Sequence, residues 1–190
     1  MATRILAAVA FGCTFLASRV AAAGDPAVSV VAPASAWAVE PRALIGGAWP
    51  LGSAARLYGG AIDLGVGVGV GLANSPLRWR ATADTRLGMA VGAGASLSLH
   101  RLGLGAAATW RRHIVTALEV GPTLRRLSLG NEIASTTLGG SLVAEMGWRF
   151  QLHTSWVVSL GARGSLALYR GDGFTWNDLG VCLAFERVAR

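Results

Sequence analysis

Residues 77–89, LRWRATADTRLGM, carry an apolar side chain at nearly every second position and keep every charge on the other parity. Leu77, Trp79, Ala81, Ala83, Leu87 and Met89 are odd, whereas Arg78, Arg80, Asp84 and Arg86 are even. Successive side chains of a strand point to opposite faces, so this spacing predicts a strand with one apolar and one charged face. The pattern recurs along the chain. In 62–72, Ile62, Leu64, Val66, Val68, Val70 and Leu72 alternate with Asp63, Gly65, Gly67, Gly69 and Gly71. Residues 89–99 keep the odd parity through Met89, Val91, Leu97 and Leu99, and after His100-Arg101 it changes to Leu102, Leu104, Ala106, Ala108 and Trp110. Later runs place Met146, Trp148 and Phe150 against Glu145 and Arg149, Trp156, Val158 and Leu160 against Ser159 and Arg163, and Leu179 and Val181 against Asp178 and Gly180.

The chain is 53% hydrophobic over 190 residues, yet it offers no helical membrane span. Beyond the first 23 residues, no stretch free of charge and histidine exceeds 14 residues, and the one from Leu64 to Leu77 is interrupted by Asn74-Ser75-Pro76. A helix needs roughly 20 apolar residues to cross. The first 23 residues have a basic start at Arg4, an apolar run from Ile5 to Ser18 and a small-residue end at Ala21-Ala22-Ala23. That is the form of a secretory signal peptide cleaved after Ala23. Residues 24–34 read as an N-terminal segment, and 35–190 as the folded domain.

All 17 basic residues are arginine, set against 10 acidic ones. They are scattered singly or in pairs through apolar sequence, with no basic face and no known motif, so no nucleic-acid partner is expected. Removal of the signal would leave Cys182 as the one cysteine, which excludes an internal disulfide. His100, His113 and His153 are dispersed, with no carboxylate at ligand spacing, so no metal site is expected. The glycines of GVGVGVG have period two and no Lys-Ser/Thr follows, which excludes a phosphate loop. The sequence offers no catalytic residue and no cofactor site.

A soluble sandwich also alternates, but it does not need one face to stay apolar over ten or more residues. Strands of about 10–15 residues are long enough to cross a bilayer at a tilt. Trp49, Tyr58, Trp79, Trp110, Trp148, Phe150, Trp156, Phe174, Trp176 and Phe185 all fall near expected strand ends, as aromatic girdles at both membrane interfaces require. Unpaired edge groups cost several kcal/mol each in lipid, so the sheet must close. The charged face then points inward: Glu40, Arg42, Asp63, Arg78, Arg80, Asp84, Arg86, Glu119, Glu145, Arg149, Arg163 and Asp178 form an expected lumen ladder, with the glycine row giving room to the arginines.

On this pattern, residues 35 to 186 resemble the small outer-membrane β-barrel families of the OmpA, OmpX and OmpW type. The resemblance implies an all-β, antiparallel up-and-down transmembrane barrel in the bacterial outer membrane. It also implies outer-membrane lipid and the barrel-assembly machinery as partners, and a monomer. Members commonly end on an aromatic read by that machinery, whereas here Phe185 is followed by Glu186-Arg187-Val188-Ala189-Arg190. Candidate strands are 35–48, 60–73, 77–86, 88–99, 102–112, 114–128, 136–151, 154–169 and 176–186. Such barrels use an even number. Reading 77–99 as one long strand gives eight, and adding a strand at 27–32 gives ten; eight is the expectation.

An eight-stranded barrel is only wide enough for side chains, and opposite charges inside it would pair. The expected function is therefore structural or surface-interacting, with a side-chain-filled lumen and loops around 49–59, 130–135 and 170–175. The alternative is a small pore or transporter for anionic or hydrophobic solutes. A surface lipid-modifying enzyme is the one enzymatic alternative. Its sole similarity, His153-Thr154-Ser155, reads better as a solvated turn.

Overall fold

The computed structural model describes residues 36–188 apart from 53, 57, 91–94, 130–131 and 171–174. The expected signal peptide, the segment 24–34 and Phe174 lie outside the described residues. Eight strands follow in chain order: β1 (Trp37–Leu51), β2 (Tyr58–Leu72), β3 (Leu77–Ala90), β4 (Ala95–Trp110), β5 (Ile114–Leu129), β6 (Glu132–His153), β7 (Trp156–Tyr169) and β8 (Thr175–Arg187). Each pairs antiparallel with the next, and β8 returns to β1, so the sheet is a closed up-and-down barrel. A 3-10 turn, Ala54–Arg56, lies between β1 and β2.

The count of eight arises by a different division from the one expected. Residues 77–99 are not one strand: 88–90 complete β3, and 95–99 open β4. From there β4 runs through His100 and Arg101 without a change of parity. Leu97 and Leu99 are buried inside, while Ser96 and His100 are exposed outside. The stretch from Ala90 to Ala95 has mostly glycine and alanine, which mark no face, so alternation could not locate the reversal. Glu132–Ser135, expected in a loop, belong to the 22-residue β6.

Register fixes the barrel's dimensions. Partners of Ile45 run through Leu64, Thr85, His100 and Leu124 to Leu138 on β6. In the other direction they run through Leu183 and Leu160 to Trp148. The two walks meet β6 ten residues apart (138 to 148), which is the shear. With strands about 4.8 Å apart and a rise of about 3.3 Å per residue, eight strands at this shear tilt by roughly 40°. Each step from β1 toward β6 therefore climbs about 3 Å toward the end opposite Trp37 and Arg187, here termed the loop end.

The outer wall is apolar. Among the described residues, 27 large hydrophobic side chains are exposed, Val66, Leu104 and Met146 each by more than 60%. Water does not tolerate a continuous surface of this kind, but lipid does. Val39 to Trp49 on β1 rises about 25 Å at the strand tilt, matching the apolar band of an outer-membrane barrel. Val66 lies near the middle of the band. Val66→Arg should cost about 2–4 kcal/mol of unfolding free energy in lipid, as arginine does at a bilayer midplane. A urea titration in vesicles checks it, and a change below about 0.5 kcal/mol would show that the wall does not face hydrocarbon.

Candidate functional site: the lumen

Period-two alternation sends the even residues of β1, β2, β3 and β8 to different sides according to each strand's own phase. The result is that nearly all charges on the strands converge inside. Seven arginines meet seven carboxylates in two layers. In the layer nearer the chain termini, Arg42 Nη2 donates to Glu145 at 2.5 Å, and its Nε lies 3.3 Å from Glu186. Arg80 Nη2 and Arg149 Nη2 each donate to Glu186 at 2.9 Å. Arg149 also donates to Thr109 at 3.0 Å. At that mouth, Arg78 pairs with Glu40 at 3.0 Å and donates to the carbonyls of Leu72 and Ser75, holding the β2–β3 turn.

The second layer is built on Arg86, which holds Asp63 through two nitrogens, one at 2.6 Å, and also binds Asp178. Ser165 accepts from Arg86 at 2.6 Å and donates to Asp178 at 2.8 Å. Arg163 bridges Asp63 at 3.0 Å and Asp84 at 2.6 Å. Arg101 reaches Asp84 at 2.7 Å and Glu119 at 2.6 Å, and Thr82 donates to the same Glu119 at 2.8 Å. Glycines make room for this network. A Cβ at Gly103 would come within 2.6 Å of the Thr82 hydroxyl and 2.8 Å of the Arg101 guanidinium, and one at Gly65 would collide with the Asp84 carboxylate.

Above the charged layers sits an apolar cap. Tyr58, Leu97, Leu99, Tyr169, Trp176, Ala54, Ala61 and Ala167 form one buried cluster at the loop end. Trp176 is fully buried, its ring 5.5 Å from that of Tyr58 and its indole N–H donated to Asp178. Arg125 stacks over Tyr169 at 5.0 Å. Small cavities of about 30 Å³ and 20 Å³ lie among the charges. Each suits about one water. Among the described residues no group of His, Cys, Asp and Glu has the arrangement to hold a metal.

All twelve residues of the expected ladder lie in these layers. Glu186, Arg101 and Arg125, which the expected ladder does not include, also face inward. Glu186 lies in the expected strand 176–186, and its parity continues that of Cys182 and Ala184, both buried. Arg101 had been placed at a turn that does not exist.

The girdle needs correction. Trp79, Trp148, Phe150, Trp156 and Phe185 are exposed on the outer wall at the terminal end, joined by Trp37, and Trp110 is half-buried there. At the loop end Trp49 is exposed outward. Tyr58 and Trp176, however, point into the cap, so the girdle is strong at one end and sparse at the other. A register shift between Tyr58 and Gly60 adds one residue to β2 and turns Tyr58, even like the outward Ile62, to the inside. Trp176 shares the parity of the inward Asp178 and follows it.

The barrel is similar to that of Neisserial surface protein A (NspA), with a TM-score of 0.55 and 14% identity over 82% of this chain and 99% of that one. It is also similar to Ail, the attachment invasion locus protein of Yersinia pestis, in a structure containing the heparin analogue sucrose octasulfate. There the TM-score is 0.50 and the identity 8%, over 80% of this chain and 97% of that one. At these identities the likeness is one of fold. No protein-family model matches the sequence, and no curated protein matches it.

Proposed function

We propose that this chain is an integral protein of the bacterial outer membrane, exported by a cleaved signal peptide, with a structural or surface-interaction role and a lumen shut by its own side chains. The observation that carries this reading is the match of seven arginines to seven carboxylates beneath an apolar cap. Ion pairs of this density across a tilted eight-stranded barrel leave no continuous water column. The end with Trp37 and Arg187 bears the short turns at 111–113 and 154–155, which supports a periplasmic position for it. The opposite loops are then the contact surface, and the one-sided girdle anchors the inner-leaflet interface.

On this reading the barrel is a monomer, is not an enzyme and binds no cofactor, lipid surrounds its outer wall, and Phe185 serves as the aromatic signal to the assembly machinery. Two measurements test it. Refolded residues 24–190 should migrate differently on a gel before and after boiling. In a planar bilayer the same preparation should carry no steady single-channel current at either polarity. A stable, salt-dependent conductance would overturn the closed lumen in favour of a pore for small anions.

A further inference from the structure

We propose that the outer wall of β2–β7 binds a phosphorylated, acylated lipid, with an acyl chain in a groove of the wall and the phosphate held by Arg126 and Arg170. The inference rests on the reading above that this wall faces lipid, and it adds a specific site to it.

A groove of about 950 Å³ crosses the outer surface from β2 to β6, lined by Leu64, Val66, Leu102, Pro122, Leu124 and Leu138. A second depression of about 370 Å³ continues it past Leu138 to Gly140, Leu168 and Arg170. The two share Leu138 and form one trough. Gly140 keeps its floor open, since a Cβ placed there would meet nothing within 4 Å. The trough follows the hydrogen-bonding direction, four strand spacings from β2 to β6, or about 19 Å. Because register rows climb toward the loop end from β1 to β6, its high end is at Leu138 and its low end at Leu64. A chain entering from the headgroup level would therefore run downward into the apolar band.

Two cations flank that high end. Arg126 is exposed on the outer face of β5, where it pairs in register with Thr136 just above Leu124 and Leu138. Arg170, also exposed, follows β7, and its backbone N–H lies 3.4 Å from the Leu138 carbonyl. Two guanidiniums on either side of β6, above an apolar trough, are complementary to a phosphate on an acyl chain, which arginine grips by paired N–H bonds. A soluble anion would leave the trough empty, and a neutral lipid would make no use of the two exposed guanidiniums. Lower in the trough wall, Thr85 Oγ1 and His100 Nδ1 lie 3.1 Å apart on the exposed surface. Their mutual bond leaves His100 Nε2 for an ester carbonyl or hydroxyl of the lipid.

The test uses the full barrel in detergent, native mass spectrometry, and two probes: lipid A with its phosphates, and the same lipid dephosphorylated. The gel shift on boiling is measured first for every variant. Wild type should retain the phosphorylated probe about tenfold more strongly. The double substitution Arg126→Gln, Arg170→Gln should bring the two probes to equal retention. Gly140→Leu should weaken both several-fold. Gly164→Leu, on the wall outside the trough and with only ordinary contacts around its Cβ, should change neither. Equal retention by wild type, a preference that survives the glutamines, or equal weakening by Gly140→Leu and Gly164→Leu would each overturn the site while the gel shift keeps the barrel standing. Loss of the shift in wild type would overturn the membrane reading itself, and the site with it.

Discussion

Replacing Glu186 with alanine is expected to lower the unfolding free energy by about 3–5 kcal/mol, the cost of removing one partner from buried ion pairs. The size follows from how many cations lose their partner at once. Arg42, Arg80 and Arg149 all reach this carboxylate. Arg42 keeps Glu145 at 2.5 Å, and Arg80 keeps it only at 3.7 Å. Arg149 is left with the Thr109 hydroxyl, a neutral acceptor that does not offset its charge. The double substitution Glu186→Ala, Arg149→Ala should therefore be less destabilising than the sum of the singles, because the most stranded cation leaves with its partner. Urea titration of the heat-sensitive gel band reads both. A loss below about 1 kcal/mol for the single variant would place this carboxylate in water, as a surface ion pair is.

Trp176→Ala should cost a comparable amount, about 3–5 kcal/mol, as large-to-small changes of buried tryptophan do. The ring is fully buried and packs on Tyr58, and its indole N–H goes to Asp178. The variant both empties the cap and removes a donor from a carboxylate of the upper charged layer. Trp49, exposed on the outer wall, supplies the contrast: Trp49→Ala should lose less than half as much. If the two substitutions cost the same, the loop-end cap is not packed and the lumen is open above its charges.

The alternation in the sequence was enough to read the closed barrel and its charged interior, since a two-residue period assigns a face to each side chain once one face is known to be apolar. What it could not read were the places where the period is silent or broken. Between Ala90 and Ala95 the side chains are too small to mark a face, and the end of β3 and the start of β4 were merged. That error sent Leu97 and Leu99 to the lipid side and hid Arg101 in a supposed turn. The bulge beside Tyr58 reverses the face of a single residue, and no composition signal announces it. Glu186 is legible from its parity alone, two residues on from the buried Ala184. The wall groove depends on which small residues stand side by side on different strands, and that follows only from register.

Some ion pairs of the lumen join neighbouring strands, as Arg86 with Asp63 and Arg101 with Asp84 do, but others span the barrel. Arg42 of β1 meets Glu145 of β6, Arg80 and Arg86 of β3 meet Glu186 and Asp178 of β8, and Arg163 of β7 meets Asp63 of β2. The last three of these pairs have no partner until the final hairpin, β7–β8, arrives. A partly assembled sheet entering the bilayer would present both unpaired edge amides and solitary charges to hydrocarbon, two penalties that each amount to several kcal/mol per group. For a barrel that resides in a bilayer, as proposed, insertion and completion would be coupled into one cooperative event. On that reading the chain has no comfortable halfway state, and a copy lacking β8 would be rejected by the membrane itself, without any separate check on its length.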